Sequence, residues 1–230
     1  MRPAVRCRNA AWLKVEAPNS VIALSNESGL ALSQTEGQNQ GGTFRSMKLL
    51  DHLRRFLSEF RLYVCNEWVT HIPSHAIRNC YYRRMMGFKI APTASIFMHC
   101  RFDAKGGFTL GERSVINRGC RVDTRAGVVI GNDVSISEEV HILTNSHRMD
   151  SPEFEGYGDS IVIDDLVFVG PRVILLPGVK IGRGALVGAG AVVTRDAEAF
   201  TMVAGVPAAP VRVRDCQLEY RLPVYRRLFH

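Results

Sequence analysis

The strongest constraint in this sequence is an aliphatic or aromatic residue that returns every six positions from residue 90 onward. The period survives two shifts of two residues and one insertion. An α-helix repeats every 3.6 residues and a half-buried strand every 2, whereas a repeat of six is typical of a parallel β-helix. The sequence therefore predicts an all-β parallel β-helix over residues 89–205. The members of the period are Ile90, Ile96, Phe102, Phe108, Leu110, Ile116, Val122, Ile130, Ile136, Ile142, Ile163, Val169, Leu175, Ile181, Val187 and Val193.

A second register supports the same fold, because a small or β-branched residue often follows four positions later, as at Ala94, Val134 and Val167. In such a fold each hexapeptide forms a short strand and a turn, and three hexapeptides complete one triangular coil. The periodic residue points inward and stacks on its equivalent in the next coil. Glycines after several of these residues, such as Gly131 and Gly170, are expected at tight corners where a side chain would clash. We expect about five coils.

The flanking segments have different patterns. Residues 1–46 include a Gln/Ser/Gly-rich stretch without a period and are predicted to be a disordered leader that need not belong to the native protein. Residues 47–88 have helical spacing, are interrupted at Pro73 and end near Gly87. These basic amphipathic helices could lie on an acidic membrane surface, but packing on the next domain or subunit is favoured. Residues 206–230 are assigned to a C-terminal tail.

Composition limits the partners. The net charge of +7 favours polyanions, yet the basic residues are spread along the chain without a stripe of interleaved aromatic residues, so no nucleic acid is predicted. The six cysteines form no C-x-x-C pair and are expected to be reduced thiols of a cytoplasmic protein. No run of 18 apolar residues is present, so no spanning helix is expected.

Four stretches carry a resemblance to a known family: INRGCRVDTR (116–125), ILTNSH (142–147), VFVGPRVILLPGVKIGRGALVGAGAVVTRD (167–196) and VAGVPAAPVR (203–212). With the repeat, they resemble the hexapeptide-repeat acyltransferase superfamily, and in particular the maltose, galactoside and polysaccharide-biosynthesis sugar O-acetyltransferases. The resemblance covers roughly residues 90–212. It implies a left-handed coil, a homotrimer with sites between neighbouring subunits, acetyl-CoA as co-substrate and no metal.

The activity implied by the resemblance is transfer of an acetyl group from acetyl-CoA to a hydroxyl of a sugar or polysaccharide precursor. A sugar hydroxyl is hardly ionised at neutral pH, so the reaction needs a general base, and an imidazole suits that task. His147 lies where the repeat breaks into a loop and matches the catalytic histidine of the family. It is therefore the predicted base.

The resemblance also implies binding residues. Asn117 matches an asparagine that lines the acceptor and thioester site. Asp123 is a second candidate for the acceptor site, although it could instead orient an imidazole or simply stabilise a turn. For acetyl-CoA, the implied contacts are backbone groups and, at the phosphates, guanidinium groups. These positions are Gly170, Ala189, Thr194, Arg195 and Arg212.

Two positions depart from the family pattern. Phe168 stands where sugar acetyltransferases commonly have tryptophan, which weakens the expected aromatic contact. Pro171 stands where relatives can use a backbone N–H to stabilise the oxyanion, and proline has no N–H. The sequence therefore leaves three candidates for the hydrogen-bond donor to the oxyanion, which are Gly170, a side chain and solvent.

Three other functions compete with this interpretation. One is N-acylation of an amino sugar or antibiotic, because a histidine base serves either nucleophile. Another is a zinc enzyme of the γ-carbonic-anhydrase type, with His99, His141 and His147 as ligands, although their spacing does not match that family well. The third is a non-catalytic β-helix subunit.

Overall fold

The computed structural model describes residues 41–226, and the chain divides into two compact units after Asp51. Helix α1 (Gly41–Glu67) is followed by a 3₁₀ helix (Val69–His71) and by α2 (His75–Arg84). The interruption before α2 agrees with the position of Pro73. Most of the predicted leader, residues 1–40, lies outside the described residues, and α1 begins before the expected start at Met47.

Residues 89–204 form three parallel sheets, which are the three faces of a coil. Face A contains β1 (Lys89–Ile90), β4 (Phe108–Leu110), β7 (Val128–Ile130), β12 (Ile161–Ile163) and β15 (Lys180–Ile181). Face B contains β2 (Ser95–Ile96), β5 (Val115–Ile116), β8 (Ser135–Ile136), β13 (Phe168–Val169), β16 (Leu186–Val187) and β18 (Thr201–Ala204). Face C contains β3 (Arg101–Phe102), β6 (Arg121–Val122), β9 (His141–Ile142), β14 (Ile174–Leu175) and β17 (Val192–Val193).

The chain visits faces A, B and C in turn, which makes five complete coils. A sixth coil begins with the bridge between Ile181 and Ala197 and continues into β18. Every residue of the predicted six-residue period is buried, and equivalent residues of successive coils lie side by side, as Ile116 and Ile136 do. The predicted parallel β-helix is therefore confirmed, and the arrangement agrees with the left-handed form.

The two-residue shifts in the period have a structural cause. On face A, strands β4, β7 and β12 have three residues each, and both end residues point inward, as with Phe108 and Leu110. The corner between faces C and A is wider than the other two, since Asp103 to Gly107 precede β4. The shifts therefore mark this one corner of the triangle.

The stacked core supports a first prediction. Ile136 is completely buried on β8, between β5 and β13, so Ile136→Ala would leave a cavity inside the coil. We expect the free energy of unfolding to fall by about 2–5 kcal/mol. Val129 on β7 is 46% exposed, so Val129→Ala is the matched control and should change stability by less than about 1 kcal/mol. Urea unfolding followed by circular dichroism measures both, and equal losses would contradict the assignment of Ile136 to the interior.

The corner glycines are required by close approach of neighbouring coils. A Cβ atom on Gly170 would lie 2.7 Å from the backbone nitrogen of Ala189, and one on Gly131 would lie 2.8 Å from that of Asp165. A left-handed backbone occurs two residues after Gly170, at Arg172, with a φ of 58°. The predicted tight corners are therefore confirmed, and their glycines leave room for the backbone of the next coil.

The N-terminal helices cover the first coil. Tyr82 of α2 packs edge to face against Phe102 inside the coil, with 5.3 Å between ring centroids. Asn66 of α1 donates from Nδ2 to the carbonyl oxygen of Phe102 and accepts from its N–H. Farther up α1, Phe56 is 62% exposed. The favoured packing on the coil is thus observed for the end of α1. Among the helices of residues 41–226, none is long and apolar enough to cross a membrane.

The residues after the coil run back along it. Strand β19 (Ala209–Val213) pairs antiparallel with β18, and residues 214–226, here named the C-terminal strap, follow the corner between faces A and B. In the strap, the Tyr220 hydroxyl donates to the carbonyl oxygen of Leu166, and the Leu222 N–H donates to Asp133. Arg226 reaches the carbonyl oxygen of Pro92 in the first coil. The predicted tail is therefore an ordered segment attached to several coils.

Candidate active site

His147 lies on a hairpin that leaves the coil between faces C and A. Strand β10 (Asn145–His147) pairs antiparallel with β11 (Gly156–Gly158), so the break in the repeat is a short two-stranded excursion. The imidazole is exposed and stacks on the ring of Phe154, with 4.7 Å between centroids and 4° between planes. One face of the imidazole is covered, and its nitrogen-bearing edge can meet a substrate.

Asp123 anchors the base of this hairpin. Its carboxylate is completely buried and accepts hydrogen bonds from the backbone N–H groups of Thr144 and Asn145, at 3.2 and 3.1 Å. Both of its oxygens also accept from the half-exposed guanidinium of Arg125, at 2.8 Å. Burial acts to raise the pKa of Asp123, but the hydrogen bonds and the charge of Arg125 outweigh it and hold the pKa below its ordinary value.

These contacts bear on the roles that the sequence left open for Asp123. The carboxylate is closed to solvent in the single chain and fixes the start of the strand that ends at His147. A direct contact with the acceptor stays a prediction, whereas the anchoring of the hairpin is observed.

Asn117 lies at a different corner, between faces B and C, directly after β5. Its Nδ2 donates to the carbonyl oxygen of Ile136 at 2.8 Å, and the same oxygen accepts from its backbone N–H at 3.0 Å. The half-buried side chain is therefore held at a defined position at the edge of the coil. Its amide oxygen has no hydrogen-bond partner among residues 41–226.

Two of the predicted coenzyme A positions share this corner with Asn117. Gly170 and Ala189 follow β13 and β16, and a groove of about 410 Å³ runs past Pro171, Arg172 and Ala189. The structure therefore brings one part of the predicted donor site to the corner between faces B and C.

The other predicted positions lie elsewhere. Thr194 and Arg195 follow β17 at the corner between faces C and A, on the same corner as the hairpin of His147 but in the fifth coil. Arg212 lies on β19, opposite Met202 at the end of face B. Within one chain, His147 therefore lies at a different corner of the coil from Asn117, Gly170 and Ala189.

The backbone at the fourth coil narrows the choice of oxyanion donor. The Gly170 N–H donates to the carbonyl oxygen of Val187 at 2.8 Å, as part of the hydrogen bonds between coils. Pro171 has no N–H, and its carbonyl oxygen accepts from Gly190 at 2.9 Å. The sequence left three candidates for the oxyanion donor. The N–H of Gly170 is already used in a hydrogen bond between coils, so the donor is a side chain or solvent.

The three histidines considered for zinc do not meet in one chain. His99 lies at the corner between faces B and C, His141 on face C and His147 on the hairpin. In the described part of the chain, no three His, Cys, Asp or Glu side chains are placed to hold a metal ion.

Sequence reasoning missed two features of this site. One is the stacking of Phe154 on His147, and the other is the pair of Arg125 with Asp123. A signal for the hairpin was present, because the short segments at residues 145–147 and 156–158 flank a polar stretch that contains Pro152.

Comparison with known proteins agrees with this architecture. The family model described as bacterial transferase hexapeptide (six repeats) matches residues 160–195. A hexapeptide-repeat acetyltransferase from Vibrio cholerae, solved with acetyl coenzyme A, has a TM-score of 0.62 and 25% identity, covering 70% of this chain and 87% of its own. A maltose O-acetyltransferase from Clostridium difficile has a TM-score of 0.60 and 25% identity, covering 73% and 89%.

Curated relatives match shorter stretches. A chloramphenicol acetyltransferase of Escherichia coli is 41% identical over 66 residues, which are 29% of this chain and 31% of that protein. The matched region spans 41% or less of the length of the first such relatives. The repeat, the coil and these comparisons together show that the β-helix of this chain is similar to those of hexapeptide-repeat acetyltransferases.

Proposed function

We propose that this protein transfers the acetyl group of acetyl-CoA to a hydroxyl of a sugar or polysaccharide precursor, with His147 as the general base. The observation that carries the proposal is the hairpin that leaves the coil. It carries the exposed imidazole of His147, which is held in place by stacking on Phe154. The similarity to an acetyltransferase solved with acetyl coenzyme A supports the choice of donor.

The chemistry follows from this arrangement. One imidazole nitrogen of His147 removes the proton of the acceptor hydroxyl while the oxygen attacks the thioester carbonyl. The carbon–oxygen bond forms and the carbonyl oxygen becomes negative. When the intermediate collapses, the carbon–sulfur bond breaks and the imidazolium returns its proton to the leaving sulfur. The products are an acetyl ester and coenzyme A.

A side-chain amide is the best protein donor for the negative oxygen. The Gly170 N–H is already hydrogen-bonded, and Pro171 has none. Asn117 carries two amide hydrogens, of which one is used by Ile136, so the second is free to donate to the oxyanion. We therefore assign Asn117 to the thioester carbonyl, and Arg195 and Arg212 to the phosphates of the donor.

The separation of the site residues supports an active site made by two copies of the chain. Asn117, Gly170 and Ala189 lie between faces B and C, whereas His147 and Arg195 lie between faces C and A. In a homotrimer, the first corner of one subunit can face the second corner of its neighbour, which gives three equivalent sites. Sedimentation equilibrium tests this arrangement, and a monomer that is fully active would contradict it.

The activity is tested with the purified chain. Calorimetry should show binding of acetyl-CoA, and a thiol reagent should detect coenzyme A release with a sugar acceptor present. The acceptor panel contains neutral sugars, acidic sugars, amino sugars and chloramphenicol, and NMR of the product distinguishes an ester from an amide. Absence of acetyl-CoA binding would overturn the proposal, and release with amines alone would replace it by N-acylation.

The similarity to the Escherichia coli chloramphenicol acetyltransferase favours acylation of an antibiotic as a second candidate. The same acceptor panel distinguishes sugar acetylation from antibiotic acylation, because a preference for chloramphenicol over every sugar would indicate antibiotic acylation.

A further inference from the structure

Two histidine rings pack together where the corner between faces B and C reaches the first coil, and Arg118 lies at the same corner in the second coil. We name His71, His99 and Arg118 the cationic cluster. The rings of His71 and His99 pack edge to face, with 4.5 Å between centroids and 79° between planes. The His99 N–H donates to the carbonyl oxygen of Thr70 at 2.9 Å, which ties the 3₁₀ helix to this corner.

The cationic cluster lies on the same corner as the proposed donor site. His99, Gly119 and Arg172 occupy equivalent corner positions of three coils and share left-handed backbones, with φ of 62°, 75° and 58°. Successive coils are about 4.8 Å apart. Arg118 directly follows Asn117, so the cluster lies next to the proposed acetyl-transfer centre, at the end of the corner remote from Ala189.

Across the described residues, no ion pair joins this cluster to an acidic side chain, and the nearest acidic corner residue is Glu138, at the position equivalent to Arg118 one coil later. The nearby Arg101 and Arg121 are paired with Glu67 and Asp103. Within residues 41–226, the exposed guanidinium of Arg118 has no ion-pair partner.

The pKa of His99 is sensitive to the neighbouring positive charge. Burial lowers the pKa of the His99 imidazole, and the positive charges of Arg118, His71 and Arg78 lower it further. A bound anion would favour the protonated imidazole, so binding of an anion beside Arg118 and protonation of His99 should be coupled.

We propose that the cationic cluster binds an anionic group of the acceptor, and that the acceptor is therefore an acidic sugar or a sugar phosphate. This inference rests on the proposed function, because it concerns the acceptor end of the same site. Arg118 would hold a carboxylate or phosphate through its planar fork of N–H donors. His71 and His99 would add charge-assisted hydrogen bonds once the bound anion favours their protonated forms.

The test is a binding experiment with the full chain. Calorimetric titrations use glucose, glucuronate, glucose 1-phosphate and inorganic phosphate. We expect at least one of the two anionic sugars to bind about tenfold or more tightly than glucose, because a hydrogen bond to a charged group is stronger than one to a neutral group. The two anionic sugars distinguish a carboxylate ligand from a phosphate ligand.

Variants locate the binding site. Arg118→Gln should abolish the preference for the anionic sugar and leave acetyl-CoA affinity unchanged. His99→Asn removes the imidazole at a left-handed position that asparagine tolerates, and should weaken the anionic sugar severalfold. Arg183→Gln is the control, because it removes the same charge from an arginine paired with Asp165 at another corner. It should have no effect.

NMR supplies a readout that does not depend on turnover. The bound anionic sugar should raise the pKa of His99 in the wild type and leave it unchanged in Arg118→Gln. Equal binding of glucose and both acids, binding of none of them, or a loss of acetyl-CoA affinity in Arg118→Gln would overturn the proposal. Failure of the enzymatic function is separate, since it appears as absence of acetyl-CoA binding while anion binding at Arg118 is retained.

Discussion

His147→Ala should lower kcat for acetyl transfer by a factor of about 10²–10⁴, the usual contribution of a positioned general base. Without the imidazole, the acceptor hydroxyl must lose its proton to water. The side chain is exposed and contacts mainly Phe154, so its removal should leave the fold and the affinity for acetyl-CoA intact. Steady-state measurement of thiol release, with calorimetry for acetyl-CoA, gives both quantities.

His141→Ala is the matched control for this experiment. His141 is an exposed histidine of the same coil, on the outside of face C, six residues before His147. Its loss should leave kcat within about twofold of the wild type. If both variants remain active, the chain uses another base. If His147→Ala loses acetyl-CoA binding as well, the residue acts in donor binding.

Asp123→Ala should have the largest effect on stability outside the apolar core. The change leaves the N–H groups of Thr144 and Asn145 without an acceptor, and each unsatisfied buried donor costs about 1–3 kcal/mol. We expect the free energy of unfolding to fall by about 3 kcal/mol and kcat to fall by about tenfold or more, because the hairpin loses its anchor. Urea unfolding and thiol-release kinetics measure the two effects.

Asp103→Ala is the control for Asp123→Ala. Asp103 occupies the equivalent position one coil earlier, but its side chain is 19% exposed, its partner Arg121 is half-exposed, and among the described residues no hairpin N–H donates to it. Exposed pairs contribute about 0–1 kcal/mol, so this variant should be nearly as stable as the wild type. Equal effects of the two substitutions would show that the anchoring of the hairpin is unimportant.

The pKa of Asp123 also gives a direction for pH dependence. Its value in the folded chain lies below that of the unfolded chain, so the unfolded chain binds the proton more readily as the pH falls. The contribution of Asp123 to stability is therefore complete above the unfolded pKa of about 3.9 and is lost as the pH falls through the folded value. The Asp123→Ala variant should lack this part of the acid dependence.

The coil could be predicted from the sequence because every turn needs an apolar residue at the same inward-facing position. Ile96, Ile116 and Ile136 occupy identical surroundings in successive coils, so the requirement appears as a period. His147 could be placed because the hairpin breaks that period. Both features are repeated or interrupted patterns of side chains, which a single sequence displays directly.

Other features leave no such pattern. The C-terminal strap binds backbone carbonyl oxygens, such as those of Leu166 and Pro92, and any residue supplies these. The role of Asp123 depends on N–H groups of Thr144 and Asn145, which also have no signature in the side chains. The cationic cluster joins His71 to Arg118 across separate elements, so only the folded chain brings its members together.

The strap changes how the coil can come apart. In a stack of repeats each unit normally touches only its neighbours, so the terminal units fray independently of one another. Here Arg214 donates to Gly184 in the fifth coil while Arg226, twelve residues later, holds Pro92 in the first. Loosening either end of the stack therefore strips contacts from the other, and the linear array should melt as one unit.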